Sequence, residues 1–158
     1  MTLKEIRKNK NITQRQAAEY LGLPMRTYQN YEKPTANMAS FKYLYMTDKL
    51  QQYGIVDEQH GVLTVAYIAD VCREVFDEYQ VQYAYLFGSY AKGKATETSD
   101  VDLFVSTQTS GLQYFGMVET LRERLGKKVD VLNQLQIKDN FDLTNEILKE
   151  GIKIYKKL

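Results

Sequence analysis

The apolar positions of this chain change their period part-way along, and the change divides it. In the first third they recur at helical spacing. Leu3 and Ile6 begin a short helical pattern that runs into Asn9–Asn11. Thr13-Gln-Arg-Gln16 then has the Ser/Thr-x-x-Glu/Gln form of a capping box, which predicts a second helix from Gln14 that buries Ala17, Ala18 and Leu21. Gly22 is placed to end it as a left-handed residue. Pro24, a residue favoured in the first helical turn, opens a third helix over Met25–Lys33, with Tyr28 and Tyr31 on one face, and Pro34 stops it. Ala39–Tyr53 sets Phe41, Leu44 and Tyr45, then Met46, Leu50 and Tyr53, on one wide apolar face suited to a core or a dimer seam.

Beyond a boundary at Gly54 to Gly61 the pattern alternates between periods of 3.6 and 2. Leu63–Glu78 reads as an amphipathic helix whose inward stripe runs through Val65, Ile68, Ala69, Cys72, Val75, Phe76 and Tyr79. Val81–Phe87 is a strand rich in β-branched and aromatic residues, and Asp100–Ser106 is a second in which Asp100, Asp102 and Phe104 share one face. Tyr114–Leu125 predicts a helix closed by Gly126; Lys127–Leu132 predicts a strand on which Asp130 faces away from Val129 and Val131. Asp142–Glu150, with Gly151 at C′, and a closing strand Ile152–Tyr155 complete the chain. The reading is α+β: an all-α helix-turn-helix domain over residues 1–56, then over 62–158 a small domain with a mixed sheet flanked by helices.

Composition narrows the chemistry. One cysteine and one histidine, Cys72 and His60, exclude an intrachain disulfide, a Cys/His zinc site and a Cys-His catalytic pair within a monomer. No membrane span or signal-peptide pattern is present, so a cytoplasmic protein is expected. Any metal chemistry falls to carboxylates. Residues 1–50 hold nine Lys and Arg against four Asp and Glu, a net of +5, whereas residues 51–158 carry a net of −4. A basic front and an acidic back point to a polyanion-binding module joined to one that holds cations.

The stretch Gly88–Asp102 combines a Gly-Ser pair at the end of one strand with two aspartates at the start of the next, which suggests phosphate on one side and metal on the other. Asp100 and Asp102, two residues apart on a strand, project to one side with α-carbons roughly 6.6 Å apart, close enough to converge on a metal pair about 3.5–4 Å apart. Such hard oxygen donors suit magnesium or manganese. Asp130 offers a third carboxylate. A merely solvated turn would not explain three carboxylates at the ends of separate apolar strands, where repulsion is unfavourable without a cation.

Two resemblances rest on these residues. The run TQRQAAEYLGLPMRTYQNYE resembles the Cro/repressor-type helix-turn-helix family, which implies a recognition helix over Pro24–Lys33, with Met25, Arg26 and Asn30 facing base edges and Gln14 at a phosphate. A helical bundle used only for association is the alternative. Gly88-Ser89, ten residues, then Asp100-Val101-Asp102, with Asp130 on a later strand, is similar to the minimal nucleotidyltransferase (MNT) family of the polymerase β-like superfamily, over residues 63–158. That resemblance implies that Gly88 lets the backbone approach a triphosphate and Ser89 bonds its terminal phosphates. Lys92 and Lys94 would screen the phosphates, and Asp100 and Asp102 would hold two magnesium ions. Asp130 would share the metal that activates the acceptor hydroxyl, or act as its base.

Small members of this family are antitoxins that transfer AMP from ATP to a tyrosine of a partner HEPN (higher eukaryote and prokaryote nucleotide-binding) toxin. The expectation is therefore a magnesium-dependent protein adenylyltransferase that acts on a HEPN toxin and represses its own operon by binding operator DNA, with homo-oligomerisation left open. Two alternatives remain: an antibiotic-type nucleotidyltransferase acting on a small hydroxyl compound, and a non-catalytic, nucleotide-sensing DNA-binding regulator.

Overall fold

The computed structural model describes residues 1–158 and divides into two compact units, Met1–Ile55 and Val56–Leu158. The first is built from α1 (Leu3–Asn9), α2 (Gln14–Leu21), α3 (Met25–Tyr31) and α4 (Phe41–Gln51). Thr2 and Thr13 each close a capping box, with Glu5 and Gln16, so two of the four helix starts are specified within five residues of sequence. Gly22 has φ +70°, the left-handed conformation that lets the chain turn from α2 into α3. Leu3, Ile6, Ile12, Ala17, Ala18, Tyr28, Tyr43, Met46 and Leu50 form the core of this unit.

Several expectations shift here. Pro24 sits at the N-cap rather than in the first turn, and α3 ends at Tyr31, two residues short of Lys33. The residue before Pro34 is disfavoured in helical conformation, so the last turn unwinds early. α4 does not bury one wide face: Tyr43, Met46 and Leu50 point inward, while Phe41, Leu44 and Tyr45 are 84%, 55% and 53% exposed. A unit this small has room under the helix for only one stripe.

The second unit comprises α5 (Val65–Glu78), β1 (Val81–Phe87), α6 (Gly88–Ala91), β2 (Val101–Thr107), α7 (Gly111–Leu125), β3 (Val129–Asn133), α8 (Gln134–Ile137), α9 (Phe141–Glu150) and β4 (Ile152–Lys156). The strands form one mixed sheet in the order β3-β2-β1-β4; β1 runs antiparallel to β2 and β4, and β2 runs parallel to β3. One face carries the main core, where Ile68, Cys72, Phe76, Met117 and Leu121 of α5 and α7 meet Ala84, Leu86, Leu103 and Val105 of the strands. Cys72 is fully buried there, and burial pushes its thiol up to about 12, in keeping with a packing role.

The opposite face holds a smaller cluster of Phe87, Phe104 and Ile147, which brings α9 onto the face that carries Phe87 of β1 and Phe104 of β2. Two helices, α6 and α8, have no counterpart in the sequence reading, because four residues are too few to show a period. Gly151 ends α9 in extended rather than left-handed backbone. A Cβ at that position would run into the Ile147 carbonyl, so the glycine answers to a close approach instead. No helix is long and apolar enough to cross a membrane.

Candidate functional site

The site lies where the chain leaves β1 and where it enters β2 and β3. β1 delivers Phe87, and Gly88 then takes φ +71° to turn directly into α6. Asp102 is paired across the sheet with Phe87 on one side and with Asp130 on the other. The parallel pairing of β2 with β3 is what puts the two carboxylates in register, one strand apart. Gly88 is packed so closely on Asp102 that a Cβ there would collide with its carboxylate. Gly88→Ala is thus strained twice, by its φ and by the clash, and we expect a loss of about 1–3 kcal/mol of stability together with loss of the site. Thermal unfolding of the variant beside wild type checks it.

Asp102 is the electrostatic centre. Burial pushes its carboxyl up to about 6, and the negative charges of Asp130, Asp100 and Glu146 push the same way, against Lys92. Asp130 is exposed on β3, and Asp100 is partly exposed just ahead of β2. The expected three-carboxylate cluster is not gathered: no three His, Cys, Asp or Glu side chains lie close enough to hold a metal ion. Repulsion among the anions favours this spacing. The donor set still fits a hard divalent cation, since a half-buried carboxylate whose ionisation is opposed by burial and by three anionic neighbours is relieved by positive charge.

The remaining candidates divide. Ser89, in the first turn of α6, is partly exposed beside Gly88, and its carbonyl accepts from Lys94 N–H at 2.9 Å. Lys94 has an exposed side chain. Lys92, expected to face phosphates, instead pairs with Glu146 Oε1 of α9 at 2.8 Å, and that partner pushes the Lys92 ammonium up. Glu146 went unnoticed in the sequence because a glutamate on an amphipathic helix reads as solvated; only the docking of α9 brings it here. On the β3 side of Asp102 opens a cleft of about 510 Å³, lined by Phe87, Asp102 and Asp130 and walled by Phe115, Glu119 and Arg122 of α7.

In the first unit, Met25, Arg26 and Asn30 are exposed on α3. Gln14 is engaged within the unit: its amide donates to Glu32 Oε2 at 2.8 Å and accepts from Gln29 Nε2 at 3.3 Å.

Two known families match the chain. A family described as polymerase beta, nucleotidyltransferase matches residues 71–158, and a helix-turn-helix family matches residues 3–37. The MJ1379 protein of Methanocaldococcus jannaschii, provisionally named a protein adenylyltransferase, is 35% identical over 82 residues, 47% of this chain and 82% of that protein. Protein adenylyltransferase MntA of Thermococcus cleftensis is 32% identical over 82 residues, 51% of this chain and 81% of that one. A toxin–antitoxin crystal structure with AMP-PNP superposes with a TM-score of 0.49 at 19% identity, over 56% of this chain and 73% of that chain, a likeness too distant to bear on function. With more than half its length matched, and with relatives of which it spans four fifths, the chain belongs to the polymerase beta family of nucleotidyltransferases.

Proposed function

We propose that this protein is an antitoxin that transfers AMP from ATP to a tyrosine hydroxyl of a partner HEPN toxin, and that its first unit binds operator DNA to repress its own operon. The observation that carries the catalytic reading is the in-register pair Asp102 and Asp130 with Gly88 packed against Asp102. The names of the relatives support protein as the acceptor class.

In this reading the turn at Gly88 and Ser89 receives the terminal phosphates, and the missing Cβ of Gly88 lets the Asp102 carboxylate stand directly against that turn. Asp100 and Asp102 are the residues that would hold magnesium, which supplies charge neutralisation of the phosphates and polarisation of the reacting oxygens. Asp130, the exposed member, faces the 510 Å³ cleft and takes the proton of the acceptor hydroxyl. The hydroxyl oxygen forms its bond to the α-phosphorus, the bond from that phosphorus to the bridging oxygen breaks, and pyrophosphate leaves with the electron pair. Lys92 and Lys94 lie on the phosphate side, where Lys92 can exchange Glu146 for phosphate. For the first unit, Arg26 and Asn30 are the residues with the chemistry to read guanine and adenine edges from α3, beside Met25.

Purified protein incubated with labelled ATP, magnesium and a candidate HEPN partner is expected to label a tyrosine of that partner. Undiminished labelling by Asp100→Ala combined with Asp102→Ala would sink the catalytic reading, and ATP binding without transfer to any acceptor would favour the nucleotide-sensing regulator. Upstream operator DNA is expected to bind with an affinity that falls steeply with salt, as phosphate contacts require.

A further inference from the structure

The ten residues between Ser89 and Asp100 join the phosphate side of the site to its first carboxylate, so their conformation decides where Asp100 stands. One end of this loop is tied by the Lys94 N–H to the Ser89 carbonyl at 2.9 Å. The other end is held by a side chain from elsewhere. Lys127, in the turn between α7 and β3, is 2% exposed. A buried ammonium is costly unless its protons are all but used, and this one is not spent on a carboxylate. Its Nζ donates to the main-chain carbonyl of Glu97 and to that of His60, the latter at 3.1 Å.

Glu97 lies in a tight turn directly ahead of Asp100. Ser99 N–H donates to the Thr96 carbonyl at 3.0 Å, and Thr96 N–H donates to Ser99 Oγ at 2.8 Å. The Glu97 carboxylate in turn accepts from Gly61 N–H at 3.2 Å, which ties the turn a second time to the segment containing His60. Immediately after Asp100, Val101 N–H donates to the Lys128 carbonyl at 2.9 Å. The chain is therefore fixed on both sides of Asp100 by two consecutive residues, one through a side chain and one through its backbone.

We propose that Lys127 is a positioning residue for the nucleotide site: bridging the Glu97 and His60 carbonyls, its ammonium sets the Thr96–Ser99 turn and thereby holds Asp100 where a triphosphate-bound divalent cation needs it. The assignment rests on the nucleotidyltransferase reading of Asp100 and Asp102. A lysine that served the fold alone would leave cation affinity untouched when replaced by an uncharged side chain that keeps its stem.

Lys127→Met removes the ammonium and keeps the stem. Amide hydrogen exchange at Glu97–Val101 is expected to quicken, and the Mn2+ concentration for half-saturation in the presence of a non-hydrolysable ATP analogue, read by water-proton relaxation, is expected to rise about tenfold, the usual scale for a group supporting a metal ligand. Lys127→Arg, which can donate to both carbonyls, should restore both readouts. Ser99→Ala opens the same turn from its partly exposed side without touching the core, and should give the same signature at smaller amplitude even if the Met variant fails to fold. A folded Lys127→Met variant with wild-type Mn2+ affinity overturns the proposal, as does a Ser99→Ala variant that exchanges faster but binds Mn2+ unchanged. Wild-type protein that binds no Mn2+-nucleotide would overturn the site reading itself, a result separable from the first because the exchange rates at Glu97–Val101 still report on the bridge.

Discussion

Asp102→Asn is expected to lower nucleotidyl transfer by about 10³-fold, because charge stabilisation at a metal-assisted phosphoryl centre contributes several kcal/mol and each 1.36 kcal/mol is a decade in rate. The same substitution should stabilise the fold. Burial, with Asp130, Asp100 and Glu146, holds the Asp102 carboxyl near 6, above the ordinary value of 3.8. Its ionisation is therefore more costly in the folded than in the unfolded chain. A raised carboxyl removes stability as pH climbs from about 4 to about 6, and the whole penalty is present above that window. In EDTA, Asp102→Asn and wild type should thus unfold at similar temperatures at pH 4. At pH 8 the variant should be more stable by on the order of 1 kcal/mol, once screening of a half-exposed group by water is allowed for. An equal gap at the two pH values would contradict this assignment. Transfer by the wild-type protein should fall below about pH 6, as protonation of Asp102 competes with cation binding.

The second large effect concerns Glu32. Its carboxylate, 5% exposed, accepts from Arg7 Nε at 2.5 Å and Arg7 Nη2 at 3.2 Å, from Gln14 Nε2 at 2.8 Å and from the Tyr28 hydroxyl at 2.7 Å. Burial alone would raise its pKa, but the hydrogen bonds from Arg7, Gln14 and Tyr28 outweigh that and leave it lowered. Arg7 also donates to the Ile12 carbonyl at 3.1 Å, so one ion pair joins α1, the α1–α2 turn, α2 and α3. Glu32→Ala strands a guanidinium that is 14% exposed, and removal of one partner from a buried pair costs about 3–5 kcal/mol, of which most should be felt here. In a unit of 55 residues that is most of the available stability, so the helix-turn-helix unit should unfold and the operator binding proposed above should disappear with it. AMP transfer, which belongs to the other unit, should persist. Retained operator affinity in the variant would show that the network is dispensable. A lowered carboxyl contributes stability above its unfolded pKa and loses it as pH falls through the folded value, so the first unit should also be the more acid-sensitive where this group protonates.

These two networks differ in how far the chain reveals them. The Asp102 site is local in sequence: Gly88, Ser89, Asp100 and Asp102 fall within fifteen residues, and the period of two on β2 orients Asp102 without reference to anything distant. The capping boxes at Thr2 and Thr13 and the left-handed Gly22 are local for the same reason. The Glu32 network has no such signature. Arg7, Gln14, Tyr28 and Glu32 are scattered over 26 residues of a basic segment, and each alone reads as a solvated or packing side chain. Gln14 is the instructive case: the helix-turn-helix resemblance implies a phosphate contact there, and nothing in the sequence signals the hydrogen bond that its amide donates to Glu32.

By itself the sequence determined the two-part organisation, the main helices and strands, and the residue types gathered at Gly88–Asp102, since all of these follow from periodicity and turn chemistry over short spans. Tertiary structure alone decided which carboxylates stand side by side, because the parallel pairing of β2 with β3 sets Asp102 against Asp130. It alone brought Glu146 to Lys92, withdrew Lys127 from solvent, and left Phe41 and Leu44 outside the first core. Each of these depends on which surfaces meet after the elements form, and burial, charge pairing and strand register act between residues that no local pattern connects.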